Sequence, residues 1–134
     1  MSGTVFEMFA ATAEAAAGHP FLIVPARADR DWHPDGIAYS YGATLAEVNR
    51  LRGLYAAAGY GHGHRVSILL ENRPEFFFHY LALNAIGACI VPINPDYRHD
   101  EVAYLLDHSE VELAMVLPHR VADVAKAAAE RARP

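Results

Sequence analysis

Cysteine is almost missing: of 134 residues only Cys89 carries a thiol. An internal disulfide is therefore excluded, and the composition fits a reducing, cytoplasmic setting. Basic residues are few, 11 against 16 acidic ones, for a net charge of −5. None of them cluster more densely than Arg131 and Arg133. Nucleic acid and anionic membrane are thus not expected partners. The N-terminus lacks the basic start and long apolar stretch of a signal peptide. One run without formal charge, Phe76 to Ile93, reaches 18 residues. His79, Asn84, Gly87 and Pro92 interrupt it, which favours a core helix and strand over a membrane span. There is no Gly-x-Ser-x-Gly elbow. Gly59, Gly61 and Gly63 give G-x-G-x-G after a helix and before a strand, the reverse of a dinucleotide fingerprint. Internal repeats are absent too. Composition and spacing set a fold class and do not name a function.

What is present is ordinary globular material, 53% apolar and 20% charged, enough for about one domain. The stretch Arg65 to Pro95 organises the rest. Val66–Leu70 is a short apolar run with β-branched residues, as in a strand buried on both faces. Pro74 suits the first position of a helix, and Glu75 favours its positive end. The segment to Ile86 is apolar almost all round, so it should be covered on most sides. Gly87 is placed for a left-handed cap. Ala88–Ile93 reads as a second buried strand, parallel to the first through a right-handed crossover. Cys89 is expected to be buried and structural there.

Before this unit, Thr4 and Glu7 match a capping box. A helix is expected over Val5–Ala17 with Val5, Phe6, Phe9 and Ala13 inward. Phe21–Val24 and Ile37–Tyr41 read as strands of a wide hairpin, joined by a polar loop from Ala26 to Gly36. Trp32 in that loop is either a lid over the core or a partner contact, with local packing favoured. Leu45, Val48, Leu51, Tyr55 and Ala58 recur at helical spacing, with a second capping box at Thr44–Glu47 and a stop at Gly59. Beyond Pro95, Asp100 is expected to cap a helix over Glu101–Asp107. Leu113–Leu117 reads as a third buried strand. Pro118 opens a last helix with Val121, Val124, Ala125, Ala128 and Ala132 on one small face. From residue 61 the pattern is β-α-β-α-β-α, a doubly wound α/β arrangement with a mostly parallel sheet. Residues 1–60 form a helix, hairpin and helix lead-in.

Candidate chemistry is thin. Eight histidines are scattered, and His62 with His64 supplies two ligands where a zinc site needs three or four. His79, on an apolar helix, is read as a hydrogen-bonded core residue. Asp100–Glu101, Asp29 and Asp31 are read as solvated or capping carboxylates.

Taken together, the motifs resemble one family. Tyr39-Ser40-Tyr41, Val48-Asn49-Arg50-Leu51 and Gly59-Tyr60-Gly61-His62-Gly63-His64-Arg65-Val66 resemble the opening of the adenylate-forming, AMP-binding superfamily. So do Asn72-Arg73-Pro74-Glu75-Phe76, Ala85-Ile86-Gly87-Ala88 and Val91-Pro92-Ile93-Asn94-Pro95. Glu101, Tyr104-Leu105-Leu106 and Asp107-His108-Ser109 continue the match. Acyl-CoA synthetases, including those for medium-chain, aromatic or carnitine-like acids, are the nearest branch. His62, His64, Asn84 and Ala43 depart from the usual residues.

The resemblance implies an acid–thiol ligase of fatty-acid-type metabolism. ATP and a small carboxylic acid give an acyl-adenylate, and CoA then takes the acyl group, with Mg²⁺ assisting. The Ser/Thr/Gly-rich phosphate loop, the acidic metal ligand, the ribose-binding Asp and the C-terminal lysine of that family have no counterpart in these residues. The chain, 1–134, is therefore expected to be the opening part of a larger N-terminal domain. On that expectation it is inactive alone and binds no ATP, CoA or Mg²⁺ by itself. By the same analogy Asn94 and Pro95 line a pantetheine channel, and Arg120 meets CoA phosphates as a bidentate donor. Two alternatives stay open: a piece of an amino-acid adenylation domain, or a non-catalytic doubly wound binding module. An uncovered sheet edge or face is expected, with self-association or binding of a hydrophobic dye as its consequence.

Overall fold

The computed structural model describes residues 4–71 and 73–129. Its centre is β3 (Arg65–Leu69), whose residues after Arg65 are all buried. Side chains alternate across a strand. Val66, Ile68 and Leu70 enter one apolar cluster, and Leu69 enters another on the opposite face. β4 (Cys89–Pro92) and β5 (Leu113–Val116) flank it in the order β4-β3-β5, both parallel to β3. The parallel β-α-β core expected from sequence is the core observed.

On the first face lie three helices: α1 (Val5–Ala15), α2 (Tyr41–Ala57) and α3 (Pro74–Ala85). Phe6, Phe9, Val48, Leu51, Tyr55, Phe78 and Leu83 fill the space between them and the sheet. Thr4 caps α1 by accepting from the Glu7 N–H at 3.0 Å, worth about 1 kcal/mol. A second orphan donor of that turn, the Phe6 N–H, reaches Asn84 Oδ1 on α3 at 2.8 Å. Asn84, a departure from the family pattern, thus ties two helices together. Gly87 closes α3 with φ +77. A side chain there would also press on His62 Nδ1, 3.0 Å from where a Cβ would stand. The second face carries α4 (His99–His108) and α5 (Val121–Ala129), packed on Leu69, Ile93 and Val111 through Val102, Leu106, Val124 and Ala127. Apart from the three-stranded sheet, β1 (Pro20–Val24) and β2 (Ile37–Ser40) pair antiparallel, as the wide-hairpin reading anticipates.

Several local expectations are corrected. α2 starts at Tyr41, capped by Ser40, whose hydroxyl accepts from the Ala43 N–H at 3.0 Å. Thr44 is not a cap: it is fully buried and its hydroxyl donates back to the Ser40 carbonyl at 2.8 Å, the i−4 bond available inside a helix. α4 begins at His99 rather than after an Asp100 cap. The Arg98 N–H donates to Glu101 Oε1 at 3.0 Å, so the acid three residues on secures the turn. Cys89 is exposed, because β4 is an edge strand whose residues are only partly covered. β5, likewise at an edge, is half-buried throughout. Val5 and Val121 are exposed. Pro118 opens a 3-10 turn, Pro118–Arg120, ahead of α5. The buried face of α5 turns on Val124 and Ala127, with Ala128 packed beside them. Ala132 and Asn72 lie outside the described residues.

Candidate functional site

Parallel sheets present their strand exits together, and in doubly wound folds that end is where ligands bind. Here β4 leaves through Ile93, whose N–H donates to Ile68 O at 2.9 Å. Asn94 then turns its own side chain on the backbone: its Oδ1 accepts from the Asp96 N–H at 2.9 Å, an Asx turn. The Pro95 carbonyl is left facing the next exit. There the 3-10 turn delivers Arg120, whose Nη1 donates to Pro95 O at 3.3 Å. Arg120 Nε lies 3.4 Å from Asp123 Oδ2, and the Arg120 side chain is only 17% exposed. His99, Val102, Arg120, Asp123 and Val124 line a cavity of about 200 Å³ between α4 and α5. Of the residues singled out from sequence, Pro95 and Arg120 meet directly. Asn94 adjoins them through its backbone, its side chain being spent on the turn.

The neighbouring residue of the same turn reaches the other way. His119 Nε2 stands 3.6 Å from Glu71 Oε2, at the exit of β3. Glu71 sits at φ +58, a left-handed conformation uncommon for a non-glycine residue. Its carboxylate lies 3.7 Å from Arg73 Nε. Arg73 in turn stacks over the Trp32 ring, 5.3 Å from its centroid, and Arg30 covers the same ring at 4.4 Å. The Arg30 guanidinium also donates to the carbonyls of Pro25, Trp32 and His33. Trp32 is thereby packed locally, and the loop holding it is fastened to the exit of β3.

A third polar pair lies on the first face. Tyr55 OH and His79 Nδ1 are 2.7 Å apart, joining α2 to α3. Burial pushes the Tyr55 hydroxyl well above its ordinary value. It pushes the His79 imidazole down, with Glu47 and Glu75 pulling the other way more weakly. The neutral ring is therefore favoured, and His79 is the hydrogen-bonded core residue that its position suggests. Among the described residues no group of three or more His, Cys, Asp or Glu side chains is placed to hold a metal, and no helix is long and apolar enough to cross a membrane.

Sequence reasoning missed Asp123 and the Arg73–Trp32 stack. The i,i+3 spacing of Arg120 and Asp123 was a usable signal. Nothing local signals a contact between residues as far apart in the chain as Trp32 and Arg73.

Comparison with known proteins settles the ancestry. The family model described as AMP-binding enzyme matches residues 9–134. The chain belongs to the AMP-binding enzyme family. Among relatives of this family is the crotonobetaine/carnitine–CoA ligase of Proteus mirabilis (strain HI4320). It is 36% identical over 77 residues, 58% of this chain and 15% of that protein. The Citrobacter koseri protein of the same name is 40% identical over 75 residues, 56% of this chain and 14% of that one. Thus the chain spans about one seventh of the length of the curated AMP-binding relatives it matches. The inhibitor-bound N-terminal domain of FACL13 from Mycobacterium tuberculosis superposes on 99% of this chain and 31% of its own, with TM-score 0.83 and 24% identity. A fatty acyl CoA synthetase of the same organism superposes on 98% of this chain and 24% of its own, with TM-score 0.81 and 24% identity. At that identity the likeness establishes the fold, an α/β N-terminal subdomain of the acyl-CoA synthetase type.

Proposed function

We propose that these residues open a longer acyl-CoA ligase, in which ATP activates a small carboxylic acid as its adenylate and CoA receives the acyl group. The identity of 36–40% to CoA ligases across more than half of the chain carries this reading. The described residues fit only part of that chemistry. Arg120, held against Pro95 with Asp123 beside it, is suited to CoA phosphates as a fixed, charge-assisted donor. The Asn94–Pro95 turn forms the adjoining wall for the pantetheine arm. ATP, Mg²⁺ and the carboxylate belong to polypeptide beyond these residues, so the isolated chain has no catalytic residue and no activity.

The test uses the longer protein. Arg120→Gln is expected to raise KM for CoA about tenfold, the loss of one charge-assisted hydrogen bond. Carboxylate-dependent ATP–pyrophosphate exchange, which needs no CoA, stays unchanged. An unaltered KM would remove Arg120 from the CoA site. Exchange by the 134-residue chain alone would overturn its reading as an inactive portion.

A further inference from the structure

The 3-10 turn Pro118–Arg120 is fastened to two other strand exits. Leu117 enters it with its N–H on Leu69 O at 3.2 Å, and the Arg120 N–H closes it on Leu117 O at 2.9 Å. The two side chains that follow then part. Arg120 reaches the Pro95 carbonyl at the exit of β4, and His119 reaches Glu71 at the exit of β3. Glu71 turns one carboxylate oxygen to each of two neighbours. Its Oε2 lies 3.6 Å from His119 Nε2 and its Oε1 3.7 Å from Arg73 Nε. That Arg73 nitrogen is buried, with no hydrogen-bond partner among the described residues, so the Glu71 carboxylate supplies the counter-charge at that end of the guanidinium.

The backbone makes the same point. Glu71 sits at φ +58, where glycine is at ease and a longer side chain is not. A turn alone would be made with less strain by glycine. Such a conformation persists where the surroundings over-determine it. Here the carboxylate held between His119 and Arg73 is what a glycine could not provide. The attraction to His119 is strongest with the imidazole protonated.

We propose that Glu71 is a positioning residue for the CoA site. It braces the 3-10 turn through His119, and the braced turn keeps Arg120 on the Pro95 carbonyl. Glu71 touches no ligand itself. The proposal rests on the reading of Arg120 as a donor to CoA phosphates, and its test separates the two.

The variants are made in the longer protein, with Arg120→Gln as the reference. Glu71→Gly deletes the carboxylate and gives the backbone a residue that adopts this φ freely, so it is expected to melt no lower than the parent. It should raise KM for CoA about threefold, the scale of one partly exposed ion pair, with kcat and carboxylate-dependent ATP–pyrophosphate exchange unmoved. His119→Ala should give the same rise. Because Glu71 acts through Arg120, Glu71→Gly adds nothing to KM in an Arg120→Gln background. If Glu71→Gly melts lower than the parent, Glu71→Gln, which keeps the length and removes the charge, carries the same comparison. An unchanged KM in the Glu71 and His119 variants, with Arg120→Gln raising it, overturns the positioning role and leaves the CoA reading standing. A threefold rise that persists on top of Arg120→Gln also overturns it, since the carboxylate then acts on its own. An unchanged KM in Arg120→Gln removes the CoA reading and this role with it.

Discussion

The two faces of the central sheet are built from different material. The first is aromatic and crowded. Phe9, Phe21 and Tyr41 meet ring against ring at 5.0–5.9 Å, and Tyr39 meets Phe78 edge-on at 5.0 Å. Side-chain hydrogen bonds, Asn84 to α1 and Tyr55 to His79, lock its helices in register. The second face is thin, its buried side chains being leucine, valine, isoleucine and alanine. The candidate site lies against this second face, with Arg120 and His99 at the rim of a cavity floored by Val102 and Val124. The contrast is a division of packing: one face is tied together by rings and side-chain hydrogen bonds, and the other is filled by smaller aliphatic side chains.

Unequal cost is the sharpest way to test that division. Phe78→Ala, at a 5% exposed position, should destabilise by about 3–5 kcal/mol, the cost of emptying a ring-sized space in a packed core. Val124→Ala, 6% exposed on the other face, should cost about 1–2 kcal/mol, since less is removed and the looser surroundings collapse more readily. Urea unfolding of both variants measures the difference. Equal losses would mean that the second face is packed as tightly as the first.

A smaller effect is expected from Asn84→Ala. It strands the Phe6 N–H, at a cost of about 1–2 kcal/mol. Hydrogen exchange should speed up in α1 first and leave α4 and α5 unchanged. Uniform acceleration across both faces would argue that α1 is not held through Asn84.

The smallest effect is a pH dependence confined to the first face. His79 has its folded value pushed below the ordinary 6.5. The unfolded chain therefore binds the proton more readily. Stability from this group is fully present above about pH 6.5 and is lost as pH falls through the lower, folded value. His79→Gln should flatten that part of the unfolding profile between pH 7 and pH 5. An unchanged slope would place the titration elsewhere.

What could be read in advance follows from the range of the forces involved. β3, α3 and the Gly87 cap were legible because an apolar run, a proline at the first helical turn and a glycine stop are all local signals. The burial of Cys89 was misjudged because the sequence between Ala88 and Ile93 looks like any core strand. Its exposure depends on β3 lying between β4 and β5, which only the assembled sheet decides. Thr44 resembled a cap because Thr-x-x-Glu is a common signature. Ser40, four residues earlier, had already taken the role. Family likeness assigns Pro95 and Arg120 separately to a CoA site, and their contact in the fold has no trace in spacing. The Arg73–Trp32 stack bridges two loops and left no pattern at all.

Trp32 is the single tryptophan of the chain, with the guanidiniums of Arg30 and Arg73 both over its ring. Its emission therefore comes from one place only. Release of the Ala26–Gly36 loop from the β3 exit would change the colour and intensity of that light while the helices remain intact. The indole is a built-in optical gauge of the strand-exit end, readable without any added dye.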